Sequence, residues 1–185
     1  NYLKIKKTNL LGHSMGGKLA MLITISRPNQ INKLIVADIA PINYINDNQN
    51  IIDALLNLDL TLVRNRNHAD QLLSNEIEQK FLRSFLLQNI KLSDGKYKWS
   101  INLTAIKNAM NDLRSFPKID KNNKVDTKSL CVYGQKSDYV NENHFQIFKN
   151  YFSNILFHKI KNAGHFLHIE NPDEFYEVSK NFFKD

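Results

Sequence analysis

Two hydrophobic rhythms divide this 185-residue chain. Short unbroken apolar runs dominate both ends, and helical spacing dominates the middle. Residues 8–11 form a brief apolar run that predicts a buried strand. Residues 17–23 carry their apolar side chains at helical spacing, and Pro28 ends that pattern because it cannot continue a helix. Leu34-Ile35-Val36-Ala37 is a continuous, partly β-branched run of the kind found in a parallel strand covered on both faces. Strand, helix and strand within about thirty residues predict a βαβ unit with a right-handed crossover, and so a mostly parallel, doubly wound sheet. Residues 2–7, rich in lysine, read as the tail of a preceding helix.

From Ile42 to Pro117 the texture changes. Ile51, Ile52, Leu55 and Leu56 repeat at helical spacing, as do Ile77, Phe81 and Phe85, and then Leu103, Ile106 and Met110. Asp94-Gly95 marks a turn, and residues 97–100 read as extended. Roughly seventy residues between two strands exceed a simple crossover. The expected organisation is therefore a core of residues 1–41 and 118–185 with a helical cap, 42–117, inserted between strands. That cap is expected to lie over the site and supply an apolar pocket. The sheet resumes over 129–134. A polar helix is expected over 142–151 and a last strand over 155–160. Asn171-Pro172-Asp173-Glu174 then opens a closing helix with a cap residue, an N1 proline and an acid three residues after the cap.

Between the first strand and the first helix stands Gly12-His13-Ser14-Met15-Gly16, a G-x-S-x-G pattern in strand–turn–helix context. A serine on so sharp a turn has its hydroxyl exposed, and glycine is expected on both flanks because of crowding. The helix start aims free N–H groups, including that of Met15, at a developing oxyanion. Ser14 is thus the candidate nucleophile, with Met15 as backbone oxyanion donor. His165, in Asn162-Ala163-Gly164-His165-Phe166, follows the last strand directly. That is where the general base of such an arrangement belongs. The other histidines fit less well: His13 is held in the elbow, His68 and His144 lie in polar helices, His158 lies in the last strand, and His168 is on the far side of the turn.

Two carboxylates compete to orient His165. The usual acid follows the penultimate strand in a Gly-x-x-Asp spacing, but in Gly134-Gln135-Lys136-Ser137-Asp138 that position holds Ser137, and Asp138 is displaced by one. Asp38 ends the strand beside the nucleophile strand, where ligand-facing residues of open α/β sheets lie.

Composition narrows the alternatives. One cysteine excludes an internal disulfide framework, and Cys131 reads as a small core residue. The net charge of +7 comes from scattered lysines with no basic stripe, so no nucleic-acid partner is expected. No apolar run could span a bilayer, which with the globular composition reads as a cytoplasmic protein. The six histidines show no metal-ligand spacing. Neither metal nor other cofactor is expected. Only residues 1–11 precede the elbow, whereas a nucleophile elbow of this kind follows several strands. The sequence is therefore expected to be the C-terminal part of a longer protein whose N-terminal signal, if any, lies upstream.

The elbow with Gly17-Lys18, the segment Lys33-Leu34-Ile35-Val36-Ala37-Asp38-Ile39-Ala40-Pro41 followed by Tyr44, Ser137-x-Tyr139-Val140, and Ala163-Gly164-His165-x-x-His168 together resemble the YbfF-type esterases. These are small bacterial α/β hydrolases related to mitochondrial abhydrolase-domain proteins. The resemblance implies an α/β-hydrolase fold and a serine esterase acting on small acyl esters, or on acyl-thioesters. It also implies a triad of Ser14, Asp38 and His165, with Ser137 at the usual acid position and Asp138 as the rival. Hydrolysis of carbon–carbon bonds on the same fold is a competing expectation, and a truncated, inactive relative is another. Haloalkane and epoxide hydrolysis are disfavoured, because those enzymes place aspartate where Ser14 stands.

Overall fold

The structure, a computed structural model, describes residues 4–45, 49–120 and 124–184. The chain divides into two compact units, one of Asn1–Asn43 with Ser115–Asp185 and one of Tyr44–Arg114.

The first unit is a four-stranded sheet in the order β1-β2-β5-β6. Its strands are β1 (Thr8–His13), β2 (Ile31–Ala37), β5 (Lys128–Gly134) and β6 (Ile155–Ile160), and every pairing is parallel. Parallel strands need crossovers that cover the faces, and the apolar runs read from the sequence are what that requires. Between β1 and β2 runs α1 (Met15–Ser26). It packs on the sheet face that carries Val36, since Gly17 there lies against Val36 and Ile39. On the same face, α7 (Phe145–Tyr151) stacks Phe145 on Phe157 of β6 and meets that ring edge-on with Phe148. The residues of alternate parity point the other way. Ile35, Ala37, Leu130, Val132 and Ile160 form a buried cluster with Leu167 of α8 (Leu167–Glu170) and Phe182 of α9 (Pro172–Lys184). Helices on both faces make the sheet doubly wound. Cys131 is fully buried in β5, and burial raises its thiol well above the usual value.

The second unit holds α2 (Gln49–Asn57), α3 (Arg66–Leu73), α4 (Lys80–Leu86), a hairpin of β3 (Ile90–Ser93) and β4 (Lys96–Trp99), α5 (Leu103–Asn108) and α6 (Met110–Arg114). Its own core gathers Leu55, Leu73, Ile77, Leu87, Ile90 and Leu103. The guanidinium of Arg83 is buried in it, donating to both oxygens of Asp70 and to the carbonyls of Ile77 and Glu78. Asp94 (φ 52°) and Gly95 (φ 73°) form the two-residue turn of the hairpin, as two positive φ values in succession require.

Three local expectations change. Lys4–Lys7 are exposed and non-helical, and the rest of the helix tail expected at 2–7 lies outside the described residues. The extended segment near 97–100 has an unforeseen partner in β3, whose Lys91 and Ser93 break the apolar pattern. The short α8 also went unread, being a single turn. No helix among the described residues is long and apolar enough to cross a membrane.

Lys33, buried in β2, ties the closing helix to the sheet. Its ammonium donates to the Phe182 and Phe183 carbonyls, both at 3.2 Å, in the last turn of α9, where the helix dipole is negative. Lys33→Met keeps the apolar stem and removes the charge. It should lower stability by about 1–2 kcal/mol, read as a fall in the urea midpoint at unchanged slope.

Candidate active site

The sharp turn after β1 is built by close backbone approach. A Cβ on Gly12 would stand 2.2 Å from the Gly16 carbonyl oxygen, and one on Gly17 would stand 2.6 Å from Ile39 Cγ2. A Cβ on Gly16 would meet nothing within 4 Å. The crowding expected on both flanks of Ser14 therefore falls on Gly12 and Gly17, and the expectation for Gly16 is corrected. Ser14 itself takes φ 54° and ψ −124°, a region costly to any side-chain-bearing residue and characteristic of sites that use the strain. Its N–H donates to the Ala37 carbonyl at 3.0 Å. Met15 is the first residue of α1, so its N–H has no acceptor within the helix.

Asp38 follows β2 directly, also at positive φ (52°), with its N–H donating to the Val132 carbonyl at 2.8 Å. It is 0% exposed. Three donors satisfy its carboxylate. The Gly134 N–H reaches Oδ1 at 3.0 Å, while the Ser137 hydroxyl and His165 Nδ1 (2.8 Å) both reach Oδ2. On the other side of the ring, His165 Nε2 lies 3.0 Å from Ser14 Oγ. An ionised carboxylate only accepts, so Nδ1 carries the proton and Nε2 presents its lone pair to the serine hydroxyl. Both ring nitrogens are thereby occupied. Asp138, one residue beyond Ser137, is exposed.

The loop bearing His165 is tied down on two sides. Lys136 N–H donates to the Ala163 carbonyl at 2.8 Å and Gln135 N–H to that of Ile160 at 2.9 Å. From the other side, Glu170 accepts the N–H groups of Gly164 and Phe166 at 2.9 and 3.1 Å. Gly134 allows the two loops to meet, since a Cβ there would lie 2.3 Å from the Gly164 carbonyl oxygen. Glu170 was not singled out from the sequence. An acid five residues after the candidate base, opening toward Pro172, was the only signal.

Two further histidines surround the base. The His13 ring lies 4.7 Å from that of His165 and 4.8 Å from that of His168. His13 Nε2 donates to the His165 carbonyl at 2.8 Å. Burial lowers the pKa of His13 below the usual 6.5, reinforced by the nearby charges of His165 and His168 and opposed by that hydrogen bond and by Asp38. His168 is lowered too, by burial and then by His165. Among the other candidates, His158 in β6 meets Glu174 at 3.2 Å, and His144 lies in the 3₁₀ turn before α7. His68 belongs to α3 in the second unit. Among the described residues no group of three or more His, Cys, Asp or Glu side chains could hold a metal ion.

Comparison with known proteins places this geometry in context. A family model described as alpha/beta hydrolase fold matches residues 1–172. A Danio rerio protein named sn-1-specific diacylglycerol lipase ABHD11 is 31% identical over 94% of this chain and 56% of its own length. Esterase YbfF of Escherichia coli (strain K12) is 27% identical over 98% of this chain and 69% of its own. A solved structure titled marine microorganism esterase superposes with a TM-score of 0.92 at 34% identity, covering 98% of this chain and 72% of that one. The chain thus spans little more than half the length of the Danio rerio lipase.

The histidine cluster carries a pH prediction. Well above pH 6.5 His13 and His168 are neutral in both folded and unfolded chains. As pH falls below 6.5 the unfolded chain takes up protons first, because burial lowers both folded values, so stability is lost in the acid direction. The urea midpoint should drop between about pH 6.5 and 5, and the drop should be shallower in His168→Gln. An equally steep drop in the variant would remove His168 from the account.

Proposed function

This chain belongs to the alpha/beta hydrolase fold family, and from that premise we propose that it is a serine esterase of the YbfF type that cleaves small carboxylic acyl esters. The observation that carries the proposal is the unbroken chain of hydrogen bonds from Asp38 through His165 to Ser14. In this reading Ser14 Oγ attacks the acyl carbonyl while His165 Nε2 takes its proton. The Met15 N–H, at the start of α1, holds the developing oxyanion. The imidazolium is stabilised by buried Asp38 and returns the proton to the departing alcohol, leaving an acyl group on Ser14. Water, deprotonated by the same imidazole, then releases the acid and restores the serine. Asp38 serves as the triad acid, and Ser137 bonds its carboxylate at the position where an acid usually stands. The inserted unit, Tyr44–Arg114, serves as the cap. The names of the relatives support the ester class, since one is named a lipase and two are named esterases.

The test is made on the full-length protein. A fluorophosphonate probe should label Ser14, and Ser14→Ala should abolish both labelling and hydrolysis of p-nitrophenyl butyrate, with kcat down about 10⁴-fold or more. Labelling that persists in the alanine variant would refute the nucleophile assignment.

The choice of acid is separately testable. Asp38→Asn should lower kcat by about 10⁴-fold, approaching the Ser14→Ala defect, whereas Asp138→Asn should cost no more than about tenfold, as suits a solvated charge. The reverse ranking would transfer the acid role to Asp138.

A further inference from the structure

The two in-line hydrogen bonds of His165 leave one motion poorly restrained. Bonds at Nδ1 and Nε2 lie in the plane of the imidazole, so they fix its position within that plane and resist tilting out of it only weakly. The second bond is also temporary on the proposed reaction path. Once Ser14 Oγ has bonded to the acyl carbon its hydroxyl is gone, and Asp38 alone hydrogen-bonds the ring while Nε2 must still meet the leaving alcohol and then a water.

Tyr139 closes that gap. Its ring stacks on His165 with centroids 3.9 Å apart and planes inclined by 20°. The stack rests on firm support. Tyr139 N–H donates to Ser137 Oγ at 3.2 Å, and the same Ser137 hydroxyl donates to Asp38. Val140, the next residue, is buried and anchors the loop. Three residues in a row thus face alternately. Ser137 braces the acid, Asp138 is exposed to solvent, and Tyr139 covers the base. An aromatic face is electron-rich, so it favours the imidazolium formed in each proton transfer over the neutral ring.

Resting on the esterase reading above, we propose that Tyr139 is a positioning residue for His165, its ring face holding the imidazole plane in line with Ser14 and with the leaving group throughout turnover. The loop that in the usual arrangement supplies the acid is here retained as a two-point brace, one contact on the acid and one on the base.

The experiment compares Tyr139→Phe with Tyr139→Leu in the full-length protein. Phenylalanine keeps the ring face, so kcat and KM should stay within about twofold of the parent. Leucine keeps the bulk without the face. Its kcat should fall about tenfold to a hundredfold, the scale of a misplaced reacting group, with KM nearly unchanged. In NMR spectra without substrate, the low-field proton of the His165 Nδ1–H···Asp38 bond should be sharp in the parent and in the phenylalanine variant, and broadened in the leucine variant. If the leucine protein does not fold, Tyr139→Gln at this half-exposed position is read in the same way.

A leucine variant with parental kcat would overturn the proposal, as would a loss confined to KM, which would make Tyr139 a substrate contact. Failure of phenylalanine to restore kcat, or an unchanged low-field proton in the leucine variant, would overturn it too. The NMR comparison needs no turnover. If the parent protein fails to react with a fluorophosphonate, the esterase reading falls while the hold of Tyr139 on His165 is still decided.

Discussion

A carboxylate with no exposed surface can stay folded into a protein only if donors replace the water it has lost. Asp38 is that group here, and it draws its donors from far along the chain. The Gly134 N–H comes from the end of β5, the Ser137 hydroxyl from the loop beyond it, and the His165 Nδ1–H from the loop after β6. Loss of any one of them leaves a buried acceptor short of a partner, at a cost of about 1–3 kcal/mol. The same bonds that join Asp38 to His165 and its neighbouring loops are therefore a structural requirement. Two loops, those after β5 and β6, must converge on one carboxylate for the fold to be satisfied at all.

The sheet supplies the means of convergence. Ser14 and Asp38 each stand one residue beyond a parallel strand, each at positive φ. Each donates its N–H to the neighbouring strand, Ser14 to Ala37 and Asp38 to Val132. These bonds carry the ladder one step past the strand ends and hold both residues in conformations that would otherwise relax. The staggered, parallel register then brings Ser14, Asp38 and Gly134 to the same edge, where the loop after β6 delivers His165. Gly12, Gly17 and Gly134 matter because backbone or side-chain atoms occupy the space a Cβ would need.

Around this frame the histidines and carboxylates play unequal parts. His13 and Glu170 act on the backbone of the His165 loop, one through a carbonyl and the other through two N–H groups. Beyond the placement of an acid five residues after the candidate base, neither contact has a sequence signature, because each depends on a backbone group that every residue possesses. Asp138 shows the converse. It is the right residue type at nearly the right spacing, yet the alternation of the loop turns it to solvent and gives the inward positions to Ser137 and Tyr139.

The sequence by itself determined the order of strand, helix and strand, the doubly wound sheet, the turn at Asp94-Gly95, and the candidacy of Ser14 and His165. Those features rest on local physics: hydrophobic period, glycine and proline placement, and a motif whose residues are neighbours in the chain. The choice between Asp38 and Asp138 stayed open on spacing alone, and the resemblance to known esterases pointed to the former. Only the tertiary structure brought Asp38 within 2.8 Å of a ring 127 residues away, exposed Gly16 as uncrowded, paired β3 with β4, and laid Tyr139 on the imidazole. Each of these is a contact between segments whose approach is set by sheet register and loop closure, quantities that no single stretch of sequence encodes.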